Sequence, residues 1–153
     1  MIRLAEKKDY HQLAELRWEH LAEDDILYGE TNIAGADKNE FIDEYVSFLN
    51  NDSLYKIFVI EQDGIIISAM YVSIIRKVPK PKVTESYIAY LTNVHTKKEY
   101  RNRGKGTELL SYIKDCLKRI KCELIIAWPS DNSVSWYMKN GFTSQNDVME
   151  CDL

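Results

Sequence analysis

The stretch Arg101-Asn102-Arg103-Gly104-Lys105-Gly106 predicts a turn that leads from a strand into a helix. Its two glycines carry no Cβ atom, so a ligand can approach the backbone closely. Its three basic side chains add positive charge, and the unpaired N–H groups of the first helical turn attract anions. The next residue, Thr107, offers a hydroxyl that can cap the helix or contact a phosphate. The stretch therefore indicates an anion site, although by itself it also fits an ordinary basic turn in solvent.

Two common phosphate-binding patterns do not fit this turn. A P-loop requires GxxxxGK[ST], whereas here a glycine separates Lys105 from Thr107. A dinucleotide fingerprint requires GxGxxG, whereas the position of the third glycine is occupied by Leu109. The pattern that remains is [Arg/Gln]-x-x-Gly-x-[Gly/Ala], and it is matched by Arg101, Gly104 and Gly106.

Apolar periodicity and turn residues predict the elements around the turn. A strand at residues 87–96 leads in, and a helix at residues 107–120 leads out. Further upstream, Asp63-Gly64 predicts a hairpin between strands at residues 55–61 and 65–76, because this dipeptide readily adopts positive φ angles. Over the whole chain, the predicted order is β-α-α-β-β-β-α-β-α-β-β.

The remaining segments complete the predicted fold. Residues 23–38 are acidic, contain glycine and are aperiodic, which predicts a loop with room for one helical turn, and Gly141 is placed to end the last helix. Short strands at residues 142–144 and 148–152 are expected to close the sheet. Hairpins followed by βαβ crossovers predict the α/β (α+β) class, in one domain over residues 1–153. We expect a mixed, mostly antiparallel sheet of six to seven strands with helices on both faces.

The net charge, the apolar runs and the cysteine and histidine spacing disfavour several classes of protein. The net charge is −4, which disfavours a nucleic-acid partner because such proteins usually carry a basic surplus. Neither a signal core nor an apolar run of membrane-spanning length is present, so no membrane association is expected. The three cysteines, Cys116, Cys122 and Cys151, form no CxxC pair and predict reduced thiols in a cytoplasmic protein. With three histidines in no ligand spacing, no metal site is predicted.

The context of the turn resembles the acetyl-CoA signature of the GNAT (Gcn5-related N-acetyltransferase) superfamily. The preceding strand ends in Asn93-Val94-His95-Thr96, and residues 91–110 match the signature phrase almost without a gap. Downstream, the frame Ser135-Trp136-Tyr137-Met138-Lys139-Asn140-Gly141-Phe142 looks like the closing signature of that family, in which a tyrosine precedes a Gly-Phe pair. The resemblance covers residues 87–142.

The resemblance implies an acyl-CoA acyltransferase fold in which acetyl-CoA binds beside a bulged strand that splays from its neighbour. It places the pantetheine arm along the backbone of Val94, His95 and Thr96, with Asn132 or Ser130 touching the arm. It assigns to Tyr137 the role of the acid that gives a proton or a hydrogen bond to the departing CoA thiolate. It places the pyrophosphate on Arg101, Asn102, Arg103, Gly104, Lys105, Gly106 and Thr107. The implied activity is direct transfer of the acetyl group to a primary amine of a small molecule or protein.

The general base and the acceptor stay open. An amine must lose a proton before it can attack, and the candidate bases are Glu85, Tyr90, Asn93, His95 and the cluster Glu23-Asp24-Asp25. The acceptor region implied by the resemblance would suit a cationic amine, and it contains Trp18, Glu23, Asp24, Asp25, Tyr28 and Glu30. The alternative function is a non-catalytic acyl-CoA-binding or regulatory module of the same fold. Abundant aromatic residues also allow a homodimer.

Overall fold

A computed structural model describes residues 1–144 and 148–153 of the chain. The strands are β1 (Ile2–Leu4), β2 (Tyr55–Gln62), β3 (Ile65–Arg76), β4 (Tyr87–Thr96) and β5 (Cys122–Ile126). The helices are α1 (Tyr10–Tyr28), α2 (Lys38–Asn51), α3 (Lys105–Arg119) and α4 (Val134–Lys139). Short 3₁₀ helices span Lys7–Asp9, Lys98–Tyr100 and Asp131–Ser133. None of the helices in these ranges combines the length and apolar character needed to cross a membrane.

The sheet has the strand order β1-β2-β3-β4-β5. The first four strands pair antiparallel, and β5 pairs parallel to β4 after the crossover through α3. One apolar cluster joins α1 and α2 to the sheet and contains Leu13, Leu16, Leu49, Val59 and Tyr71. The second cluster joins α3 and α4 to the sheet and contains Phe58, Met70, Leu110, Ile113 and Tyr137. The mixed, mostly antiparallel sheet with helices on both faces is therefore confirmed.

The predicted strand count is too high for the described part of the chain, in which the sheet has five strands and not six to seven. Residues 142–144 and 148–152, which we expected to close the sheet, form no strand. Phe142 donates its N–H to the carbonyl of Tyr137 (3.1 Å) and packs its ring on the Tyr137 ring (5.1 Å between centroids). Because these contacts hold Phe142 at the end of α4, its backbone is not free to join a strand ladder.

The predicted loop at residues 23–38 is wrong in its first part, because α1 continues to Tyr28. The helix ends at Gly29, whose φ of 67° is left-handed and whose N–H bonds to the carbonyl of Asp25 (3.1 Å). Apolar periodicity stops at residue 23 because the last turns of α1 border a cleft and not the core. The acidic residues of these turns are unfavourable near a helix C-terminus, and specific partners described below offset that cost.

A partly buried ion cluster fixes the start of the chain against β2. Arg3 donates from both terminal nitrogens to the carboxylate of Asp9 (2.6 and 2.9 Å) and also bonds to Glu61 (2.5 Å). The backbone N–H of Glu6 donates to the same Asp9 carboxylate (2.7 Å). Asp9 is 2% exposed, and the hydrogen bonds from Arg3 hold the pKa of its carboxyl below the usual range. Asp9 therefore contributes stability in its charged form.

We expect Asp9→Asn to destabilise the fold by about 2–3 kcal/mol at pH 7, since Arg3 would lose a charged partner inside the protein. Because the folded-state pKa of Asp9 lies below its unfolded value, this contribution is present at neutral pH and is lost as pH falls below about 4. Urea unfolding at several pH values measures it, with Asp43→Asn on the exposed face of α2 as the matched control. A difference between wild type and Asp9→Asn that stayed constant down to pH 3 would contradict the assignment.

Candidate functional site

The end of β4 carries a bulge. Ala69 pairs with His95, whereas Tyr71 pairs with Thr92, so that β4 has one more residue than β3 between these pairs. Asn93, within this interval, has a φ of 47°, a left-handed conformation that asparagine tolerates better than most residues. The bulge displaces the end of β4 from regular strand geometry.

Beyond the bulge, one edge of β4 is open. The parallel pairing with β5 covers only Tyr87–Tyr90, and the two strands part after that point. Lys97 donates its N–H to the carbonyl of Ile67 (2.9 Å), so the backbone groups of Lys97 point toward β3. The backbone N–H and C=O groups of successive strand residues point to opposite sides of the strand. Those of His95 therefore point toward β3, whereas those of Val94 and Thr96 point toward the open edge. A ligand strand would therefore meet Val94 and Thr96.

A cleft of about 550 Å³ lies against this open edge. Four structural parts wall it: the end of β4, the turn into α3, the last turns of α1, and the segment that leads into α4. All the residues predicted to bind the cofactor line it except Arg103, which is exposed. Those that do are Val94, His95, Thr96, Arg101, Asn102, Gly104, Lys105, Gly106, Thr107 and Asn132. Ser130, the other residue expected near the arm, also lines the cleft.

The first turn of α3 forms the anion-attracting end of the cleft. The helix begins earlier than predicted, at Lys105, after Gly104 in the left-handed conformation (φ 72°). The first bond of the helix runs from Glu108 N–H to the Gly104 carbonyl (2.9 Å), so the three preceding N–H groups have no partner within the helix. Thr107 does not cap the helix, because it lies inside the first turn and faces Asn140 Nδ2 (3.4 Å).

Gly106 lies close to Trp136 of α4 and Thr96 of β4. A Cβ at this position would lie 3.4 Å from the Trp136 ring and 3.6 Å from Thr96 Oγ1, which are ordinary van der Waals distances. The position therefore has room for a methyl group but not for a larger side chain directed toward Trp136. A Cβ at Gly104, by contrast, would meet nothing within 4 Å, which leaves that position open to the cleft.

Arg101 joins the turn to α1. Its Nε donates to the Thr96 carbonyl (2.8 Å), and one terminal nitrogen donates to Glu23 (2.7 Å). The same nitrogen lies 3.5 Å from His95 Nε2. Two of the three guanidinium nitrogens of Arg101 are used in this way. The main role of Arg101 is therefore to position the phosphate turn, and its charge is already partly neutralised by Glu23.

Two stacked imidazoles lie between α1 and β4. The rings of His20 and His95 are 4.5 Å apart with an interplanar angle of 24°, and both line the cleft. Burial, followed by the nearby positive charges, lowers the pKa of His95 to about 3. His95 is therefore neutral across the physiological range, and so weak a base is poorly matched to an amine. Burial also lowers the pKa of His20.

The acidic residues of α1 separate into two groups. Glu23 and Asp24 line the cleft together with Leu27 and Tyr28. Asp25 points elsewhere, since its carboxylate accepts from the N–H groups of residues 32 and 33 (2.7 and 3.0 Å). Two more residues from the predicted acceptor region also lie outside the lining: Trp18 packs on Phe41 (5.5 Å), and Glu30 accepts from Asn32 (2.6 Å).

Tyr137 lies behind the cleft wall. It is 7% exposed, does not line the cleft, and its ring meets those of Trp136 (4.9 Å) and Phe142 (5.1 Å) edge-on. Burial, with a smaller effect of Tyr90, raises the pKa of its phenol to about 12. Trp136, not Tyr137, is the aromatic residue of the frame that faces the cleft directly.

A family model described as the acetyltransferase (GNAT) domain matches residues 53–144, which is more than half of the chain. The chain belongs to the GNAT acetyltransferase family. The match extends from the start of β2 past α4, so it includes the bulged strand, the turn and Tyr137. Family membership supports acetyl transfer in general.

Solved structures have the GNAT fold seen here. A predicted acetyltransferase with acetyl-CoA from Clostridium acetobutylicum is 24% identical with a TM-score of 0.73, covering 99% of this chain and 95% of that chain. Glucosamine-6-phosphate N-acetyltransferase from Arabidopsis thaliana is 19% identical with a TM-score of 0.69, covering 99% and 97%. A transcriptional regulator from Bacillus halodurans C-125 is 18% identical with a TM-score of 0.73, covering 100% and 99%. No curated protein matches the sequence.

Sequence reasoning assigned no functional role to two residues of this GNAT site. His20 lies at helical spacing with Leu13 and Leu16, which is the pattern of a packing face, and Trp136 is named above only within the closing frame. A signal for His20 was present, since Asp24 follows it at i+4 and therefore shares its helix face. Of the other candidate bases, Glu85 is exposed ahead of β4, and Tyr90 packs on Trp128 (5.0 Å).

Proposed function

We propose that this GNAT protein is an acetyl-CoA-dependent N-acetyltransferase that transfers the acetyl group directly to a primary amine. The observation that supports this most strongly is the continuity of one cleft, which joins the open edge of β4, the first turn of α3 and an acidic wall on α1. Such a cleft offers strand-like backbone pairing, a phosphate site and an ammonium site in one space. A cytoplasmic location, a homodimer and the lack of nucleic-acid and membrane partners stay predictions from the sequence.

The donor end of the cleft suits coenzyme A. The N–H of Thr96 lies on the open edge, while its carbonyl is occupied by Arg101, so this residue and Val94 are the positions for an extended amide chain to pair with. The free N–H groups at the start of α3 and the open space at Gly104 suit a pyrophosphate. Acetyl-CoA supplies an acetyl thioester, and a backbone N–H of the open edge can stabilise the oxyanion that forms during transfer.

The acceptor end suits a positively charged amine. The Asp24 carboxylate lines the cleft with a quarter of its side-chain surface exposed, and Leu27 and Tyr28 add apolar surface beside it. Glu23 is already paired with Arg101, so Asp24 is the carboxylate of α1 with more capacity for a ligand cation. Attraction between an ammonium and this carboxylate would hold the amine at the mouth of the cleft.

We expect Asp24→Asn to raise the KM for a cationic amine about tenfold, the equivalent of about 1.4 kcal/mol. The affinity for CoA should not change, because the ion-pair partner of Asp24 is His20 on the same helix and not a residue of the phosphate turn. Asp25→Asn is the matched control: it removes the same charge one residue along, where the side chain bonds to a loop and not to the cleft. Equal KM values for wild type and Asp24→Asn on every amine would contradict the acceptor assignment.

A thiol-release assay with acetyl-CoA and a panel of primary amines, from polyamines to peptides with free N-termini, tests the function. We expect release that depends on at least one amine, with the acetylated amine detected by mass spectrometry. Tight CoA binding without amine-dependent release would overturn the enzyme assignment in favour of an acyl-CoA-binding module.

A further inference from the structure

The ion pair between Arg101 and Glu23 joins the two ends of the cleft. Arg101 begins the phosphate turn, whereas Glu23 lies on α1 next to Asp24, at the acceptor end. Arg101 Nη2 is 2.7 Å from Glu23 Oε2, and the two side chains line the cleft with 35% and 29% of their surface exposed. A guanidinium is a partner for phosphate and a carboxylate is a partner for ammonium. This pair therefore competes with both ligands of the proposed reaction.

The guanidinium of Arg101 is held beside the start of α3. Its Nε donates to the Thr96 carbonyl (2.8 Å), and Thr96 Oγ1 would lie 3.6 Å from a Cβ on Gly106, in the first turn of that helix. Thr96 is thus a common neighbour of the guanidinium and of the free N–H groups. A phosphate at the helix start would compete with Glu23 for the terminal nitrogens of Arg101, while the Nε bond keeps the side chain in place.

Glu23 would need another cation if Arg101 turned to a phosphate, because a half-buried carboxylate without a partner is unfavourable. The imidazole of His95 lies 3.5 Å from the same nitrogen of Arg101, but with a pKa of about 3 it carries no charge at pH 7. Burial also lowers the pKa of His20, so this ring supplies little charge. An ammonium group that enters the cleft would supply the missing charge.

We propose that Glu23 is an ammonium-binding residue of the acceptor site that becomes available when coenzyme A binds. The inference rests on the proposed function. The phosphates of CoA take the terminal nitrogens of Arg101, Glu23 loses its partner, and the ammonium of the acceptor pairs with Glu23 and Asp24 together. Because coupling between two binding sites is reciprocal, an ammonium at Glu23 also frees Arg101 for the phosphates. The ion pair thus makes acceptor binding depend on the donor.

Glu23→Gln should bind coenzyme A about fivefold more tightly than wild type when no amine is present. Glutamine leaves Arg101 free for the phosphates, and a partly exposed ion pair is worth up to about fivefold in a dissociation constant. An ion pair that only anchored the turn would give the opposite sign, because its loss would weaken CoA binding. Isothermal titration measures the change, and equal or weaker CoA affinity in Glu23→Gln would overturn the inference.

Glu19→Gln is the matched control. Glu19 is also on α1 and pairs with Lys97, just after β4 (3.4 Å), but neither residue lines the cleft. Its CoA affinity should equal that of wild type, and the same tightening in both variants would contradict the exchange by showing a general effect of charge. Pantetheine, the arm of CoA without the phosphates, should bind Glu23→Gln and wild type equally. Tighter pantetheine binding would contradict competition with the phosphates.

The acceptor half of the inference is tested by the KM of the amine that gives the highest kcat/KM in the thiol-release panel. Glu23→Gln should raise this KM about fivefold although CoA binds more tightly. Asp24→Asn, by contrast, should raise KM with CoA affinity unchanged. A KM that Glu23→Gln leaves unchanged would overturn this inference alone, whereas a wild-type protein without turnover on any amine would overturn the proposed function as well.

Discussion

Gly104→Asp should abolish coenzyme A binding while the protein stays folded. Residue 104 precedes α3 and lines the cleft, and a side chain there would clash with no neighbouring atom. Its left-handed φ of 72° strains any side chain, but aspartate tolerates this conformation better than most residues. Its carboxylate would compete for the N–H groups at the helix start and repel the pyrophosphate. Two charges at 4 Å interact by about 4 kcal/mol at an effective dielectric constant of 20. We therefore expect CoA affinity to fall more than about 100-fold.

Gly104→Asn is the matched control for this loss. Asparagine has nearly the same shape as aspartate and tolerates the left-handed φ of 72°, but carries no charge. We expect it to lose less than about tenfold in affinity, a cost of under about 1.4 kcal/mol. Isothermal titration with CoA measures both variants, and circular dichroism checks the fold. Wild-type affinity in Gly104→Asp would show that the phosphates bind elsewhere.

Tyr137→Phe should lower kcat about 100-fold and leave CoA affinity unchanged, if the phenol donates a proton or hydrogen bond to the departing thiolate. A pKa of about 12 keeps this phenol protonated at any ordinary assay pH, so it remains a donor throughout. The loss of kcat should therefore be the same from pH 6 to pH 9. Stability should change little, because the ring contacts with Trp136 and Phe142 are kept.

Tyr112→Phe is the control for loss of a phenol elsewhere. Tyr112 lies on α3, is partly exposed and packs on Phe58 (6.2 Å), outside the cleft lining. It should keep wild-type kcat. The buried position of Tyr137 behind Trp136 makes this test informative, since a wild-type rate in Tyr137→Phe would reduce the residue to a packing role.

Features fixed by local chemistry were predictable from the sequence. The strand at residues 87–96 has the predicted bounds, because its apolar residues and flanking turns lie within one short stretch. The left-handed Gly141 (φ 83°) was likewise predictable, since a glycine after an apolar helical pattern ends the helix. The anion-attracting turn follows from residues 101–107 alone. These signals need no knowledge of distant parts of the chain.

Features fixed by long-range contacts were not predictable. Arg101 and Glu23 are 78 positions apart, and no local pattern shows that one binds the other. The same holds for His20 and Asn93, which are 73 positions apart and meet where α1 packs beside the bulged end of β4. The last turns of α1 were not predicted as helix, for a related reason. Glu23 pairs with Arg101 at the cleft and Asp25 bonds to the following loop, so the apolar period that identifies a helix is missing there.

A single-turnover experiment tests the central claim most directly. The protein is held in excess over acetyl-CoA, a reactive primary amine is added, and thiol and acetylated amine are followed in the same samples. The account predicts that both products appear at one rate and in equal amounts, with the acetyl group on the amine nitrogen. Release of free acetate instead of acetylated amine, or retention of intact acetyl-CoA on the protein, would contradict it.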